Sequence, residues 1–92
     1  MLEKVKLALR ITTDAFDEEI NDLIAAAQAD LGIAGVNAIA DADPLITRAI
    51  VTYCRVHFGQ PEDFDRLKAA YDEQKAQLQM ATGYTSWGEN NG

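Results

Sequence analysis

The sequence predicts a small all-α bundle: three longer helices, a short N-terminal helix and an extended C-terminal tail. Three observations predict it. Apolar residues recur at steps of three and four over most of the chain. Helix-start and helix-stop residues bracket those periodic stretches, most plainly Asp43-Pro44 and Gly59. No second alternating run offers a strand partner to the one ambiguous segment at the N-terminus. With 92 residues there is room for one core. The expected organisation is a single helical domain over 1–81 and an extended or mobile arm over 82–92.

The first ten residues admit two periods. Leu2, Val5 and Leu9 share a helical face, while Val5, Leu7, Leu9 and Ile11 alternate as a strand does. A strand there has nothing to pair with, so a short helix is expected. In the next helix Phe16, Ile20, Leu23, Ile24, Ala27 and Leu31 form one apolar stripe. Residues 11–32 also carry six acids and no Lys or Arg: Asp14, Asp17, Glu18, Glu19, Asp22 and Asp30. Most gather in the first two turns, where the positive end of the helix dipole favours negative charge. A solvated helix start explains them better than a cation site, because the alternating ligands, central Gly and closing Glu of an EF-hand are missing. Gly32 is the expected stop.

Asp43 reads as an N-cap and Pro44 as the first helical residue, where its missing N–H costs nothing. Leu45, Ile46, Ala49, Ile50, Tyr53, Cys54, Val56, His57 and Phe58 then cover more than half of the helix surface, leaving Thr47, Arg48, Thr52 and Arg55 polar. A helix apolar over so much of its circumference is expected at the centre, with neighbours on several sides. Pro61, Glu62 and Asp63 open a third long helix with a buried stripe of Phe64, Leu67, Tyr71 and Leu78. Asp65–Lys68 and Asp72–Lys75 are the expected exposed i,i+3 pairs. The helix is expected to fade between Met80 and Gly83.

Charge and composition exclude several function classes. Eight basic residues stand against fifteen acidic ones, a formal net charge of −7. Neutralising phosphates takes clustered Lys and Arg, so sequence-specific nucleic-acid binding and anionic membrane surfaces are disfavoured. No apolar run approaches a membrane span, and the single cysteine, Cys54, has no disulfide or metal-site companion. Cys54 and His57 lie i,i+3 on the central helix, but burial is the ordinary fate of such a cysteine. No phosphate loop, metal set or cofactor motif is present, so no catalytic, cofactor-binding or metal residues are assigned and no enzyme is expected. The tail is unusual in carrying Tyr84 and Trp87, the latter the only tryptophan, in a polar segment. Large aromatics are enriched at binding hot spots, so these two are candidates for docking on a partner or for folding back over their own core.

Taken together, VKLALRI (Val5 to Ile11), the acidic helix start with EEINDLIAAA (Glu18 to Ala27), DPLITRAIVTY (Asp43 to Tyr53) and a final helix with Tyr71 and Leu78 resemble the tailed-bacteriophage head–tail connector proteins. These are also called adaptor, head-completion or DNA-packaging proteins, and copies occur in prophages. The resemblance covers roughly residues 2–80. It implies a structural subunit, made in the host cytoplasm and placed at the virion head–tail junction. It further implies a homo-oligomeric ring of about a dozen copies under the portal protein, a cyclic head-to-tail assembly. Such a ring extends the DNA channel and docks a tail or stopper protein, while double-stranded DNA passes without specific binding. The net negative charge suits a wall that does not grip phosphate. For ring closure the expectation is that Lys4, Lys6 and Arg10 of one subunit face Asp14, Asp17, Glu18 and Asp22 of the next, and for portal docking that Tyr84 and Trp87 provide the contact. The competing expectation is a small acidic helical regulator or DNA mimic that binds a basic partner protein.

Overall fold

A computed structural model describes residues 1–33, 35, 43–59 and 61–80. Among them the chain forms α1 (Leu2–Leu9), α2 (Asp17–Ile33), α3 (Pro44–His57) and α4 (Phe64–Met80), and no strand. The ambiguous N-terminal segment is therefore helical. Its end is local chemistry: Arg10 adopts the left-handed conformation at φ 60°, ψ 42°. Its N–H meets the Leu7 carbonyl, and the next N–H, from Ile11, meets that of Lys6. That geometry usually falls to Gly or Asn, and an arginine holds it at a cost of roughly 1 kcal/mol.

α3 is the centre of the fold, packed against α1, α2 and α4. Its start follows the Asp43-Pro44 expectation. Asp43 is extended at φ −79°, ψ 120°, and its carboxylate accepts from the N–H groups of Leu45 (2.9 Å) and Ile46 (3.3 Å). Ile46, Ala49, Ile50, Cys54 and Val56 are buried. All but Val56 meet Val5 from α1, Ile20, Ile24, Ala27 and Leu31 from α2, and Tyr71 and Leu78 from α4 in one core. Six residues join α3 to α4, a length that suits antiparallel neighbours.

Several details of the periodic reading are corrected. Phe16 lies before α2 rather than in its buried stripe, because the helix begins at Asp17. Its ring is 43% exposed and instead meets Phe58 edge to face, centroids 5.5 Å apart. Leu45 and His57 are exposed, whereas Thr52 is buried; its hydroxyl donates to the Arg48 carbonyl at 2.9 Å, which satisfies it inside the helix. α4 starts at Phe64, three residues after Pro61, and Phe64 itself is exposed. The ion pairs on α4 also differ. Lys68 meets Asp72 at 3.4 Å, one helical turn on, and Arg66 meets Asp63 at 2.5 Å. Lys75 is turned away from Asp72 and toward α2.

Candidate functional site

Three polar features stand out on this apolar frame. At the N-terminal end Lys6 is almost fully buried among its neighbours, with its ammonium 3.1 Å from Asp14 and 2.8 Å from Asp17. The hydrogen bonds to Asp17 and then to Asp14 push the Lys6 pKa up, against the desolvation that would lower it. Three of the charged residues expected at a subunit boundary are thus tied together within one chain. Lys4, Arg10, Glu18 and Asp22 remain exposed.

The second feature joins α2 to α4. Tyr71 is buried on the inner face of α4 and its hydroxyl donates to the Asp30 carboxylate at 2.5 Å. Lys75, one turn on, reaches the same oxygen at 3.3 Å. Burial alone would raise the Asp30 pKa, but the Tyr71 hydroxyl and the Lys75 ammonium outweigh it and hold the carboxyl below its usual value. Burial and the same hydrogen bond push the Tyr71 phenol far up, so it stays a neutral donor. Tyr53 completes the cluster, edge to face with Tyr71 at 5.3 Å and tilted against His57 at 4.3 Å. An acid in the last turn of α2, where the dipole disfavours it, was the available sequence signal for such a partner.

The third feature is a groove of about 280 Å³ between the start of α3 and the C-terminal half of α4. Leu45 and Arg48 form one wall, and Ala70, Glu73, Gln74, Gln77 and Leu78 the other. Leu45 is 53% exposed there. The side-chain carbonyl oxygen of Gln74 is buried without a hydrogen-bond partner among the described residues. Nothing in the apolar spacing of α4 singles out this acceptor.

Among the described residues Cys54 and His57 are not brought together as a catalytic pair. Cys54 is fully buried and desolvation raises its thiol pKa to about 11, so it is neutral and inert. His57 points instead to Tyr53 and solvent. Among the described residues no group of three or more His, Cys, Asp or Glu is placed to hold a metal ion, and no helix is long and apolar enough to cross a membrane. Tyr84 and Trp87 lie outside the described residues.

The arrangement is that of a packing subunit whose polar groups tie helices together and whose exposed apolar residues face outward. Neither a curated protein nor a solved structure matches the chain. A family model described as phage connector protein matches residues 1–85, nearly the whole sequence and all four helices. The chain therefore belongs to the phage connector proteins, a structural family of the virion whose members meet other head and tail proteins.

Proposed function

We propose that the chain is a repeating subunit of a closed ring beneath the portal, extending the DNA channel and presenting a surface to the next tail or stopper protein. The observation that carries this reading is the division of exposed charge. Lys4 and Arg10 stand on and just after α1, while Glu18, Glu19 and Asp22 stand on the first turns of α2. A heterologous ring contact needs two different, complementary patches on one subunit, and these two qualify. Lys6, Asp14 and Asp17 hold the α1–α2 corner rigid between them, so the patches keep a fixed relation. The arm with Tyr84 and Trp87 docks on the portal in this reading. A net charge of −7 keeps the channel wall from retaining DNA as it passes.

Native mass spectrometry of the chain, alone and mixed with the portal protein of the same phage, tests this. A closed multi-copy species, alone or on the portal, is expected, and the double reversal Lys4→Glu with Arg10→Glu should weaken it. Restoring assembly by adding Glu18→Lys and Asp22→Lys would tie the effect to the two patches. A chain that stays monomeric, ignores the portal and captures a basic protein would support the acidic-regulator reading instead.

A further inference from the structure

Two grooves along the α3–α4 hairpin form the ends of one surface. On α3 their walls include Leu45 and Arg48 at one end and Arg55 at the other. On α4 they run from Leu67 through Ala70 and Gln74 to Leu78. These spacings put each set on one side of its helix. On α3 that side is opposite Ile46, Ile50 and Cys54, which turn to the core, so the surface faces away from α2.

Charge divides along it. Arg10 and Arg55 line the connecting end, where the acid in the lining, Asp63, is already held by Arg66. At the other end Arg48 and the Glu73 carboxylate line the groove together and cancel in net charge, while Leu45 and Leu78 supply apolar wall. The surface is therefore positive at one end, and neutral and apolar at the other. A complementary occupant is acidic at one end and apolar at the other, over the same span.

The outer face of α2 has that form. Glu18, Asp22, Ala25, Ala29 and Ile33 recur at steps of three and four and are all exposed, opposite the buried Ile20, Ile24, Ala27 and Leu31. Ile33 is 88% exposed, an apolar side chain that gains from being covered. Ala25 and Ala29 allow another helix to approach closely. Along α2, Asp22 and Ile33 are about 16 Å apart; along α3, Arg55 and Leu45 are about 15 Å apart. A chain cannot lay its own α2 there, because that helix packs on the other side of α3.

We propose that α2 of one copy lies along the α3–α4 surface of the next, with Glu18 and Asp22 against Arg10 and Arg55, and Ile33 against Leu45 and Leu78. Two different faces on opposite sides of the subunit meet, so the contact propagates head to tail. It rests on the ring reading and extends it from matched charges to a seat for a whole helix. The charged end sets direction and the apolar end holds.

The test is bismaleimide crosslinking of two single variants, Ala25→Cys and Ala70→Cys, each alone and mixed, with and without portal protein, beside native mass spectrometry of the same samples. Cys54 is enclosed and stays silent. The mixture should give covalent dimers several-fold more readily than either variant alone. Ile33→Asp should cut both the dimers and the multi-copy species several-fold, with circular dichroism unchanged because the position is exposed. Arg55→Glu should do the same, and adding Asp22→Lys to that chain should restore assembly. A multi-copy species that forms without preferred mixed dimers, or ignores Ile33→Asp, would overturn the contact and leave the ring reading standing. Arg55→Glu that abolishes portal binding while multi-copy assembly persists would give the surface to the portal and overturn it as well. Mixed dimers with no closed species would keep the contact and refute the ring. A chain that stays single under every condition would refute both.

Discussion

The two ends of the α3–α4 hairpin are built from similar residues and finished differently. At the connecting end Phe58 is covered by Phe16, edge to face at 5.5 Å, and the turn is fixed by the Asp63–Arg66 pair. There the α1–α2 corner supplies the cover. At the opposite end Leu45 lies half in solvent beside a groove with an unpartnered acceptor at Gln74. A bundle that had only to be stable gains nothing from that second finish. Both ends carry a groove, about 350 Å³ beside Phe58 and Leu67 at the connecting end and about 280 Å³ at the other, and what sets the second apart is its buried acceptor left unpartnered among the described residues.

The comparison breaks most completely where both ends share a core. Ile50 is fully buried at the middle of α3, and Ile50→Ala should cost about 2–5 kcal/mol, read as a lower urea midpoint with both ends lost together. A single transition by far-UV circular dichroism and by the near-UV signal of Tyr53 and Tyr71 would confirm that sharing.

The Tyr71–Asp30 tie comes next. Tyr71→Phe should cost about 1–2 kcal/mol, below a fully buried charged hydrogen bond because Asp30 is partly solvated. Its pH dependence has a definite sign. The Asp30 carboxyl is held below its usual value in the folded state, so its contribution is complete above about pH 4. It is lost as pH falls through the folded pKa. The stability gap between the native chain and Asp30→Asn should therefore be flat near neutrality and close on acidification below about pH 4.

Smaller effects separate the ends. Phe16→Ala should cost about 1 kcal/mol and loosen only the connecting end, seen as faster amide exchange around Phe58. Asp43→Ala removes the cap that starts α3 and should cost about 1 kcal/mol at the other end. Leu45→Ser should leave the unfolding midpoint within about 0.5 kcal/mol of the native chain, because that side chain is already half in water. Cys54 should react with a thiol reagent only as fast as the chain unfolds, since its neutral thiol is fully enclosed.

Much of the fold was legible because it rests on local rules. Asp43 and Pro44 set the start of α3, and its broad apolar surface announced its central place. The side-chain corrections come where tertiary packing overrides period. Phe16 falls on the α2 stripe by spacing, yet the helix begins after it and its ring finds Phe58. Thr52 reads as polar, but a hydrogen bond to its own helix lets it be buried. Lys75 has an acid three residues before it and takes a better one, Asp30, from another helix. The candidate site was less legible for the same reason. Lys6 looked like a free positive charge because its burial against Asp14 and Asp17 depends on how α1 meets α2, which one-dimensional spacing does not contain. The unpartnered Gln74 oxygen is a property of two helices together and leaves no mark on either.

The most direct test of the contrast between the two ends is residue-resolved amide exchange in the native chain, Phe16→Ala and Asp43→Ala. The account predicts faster exchange around Phe58 alone in Phe16→Ala and around Leu45 alone in Asp43→Ala. Either variant speeding exchange equally at both ends would contradict it.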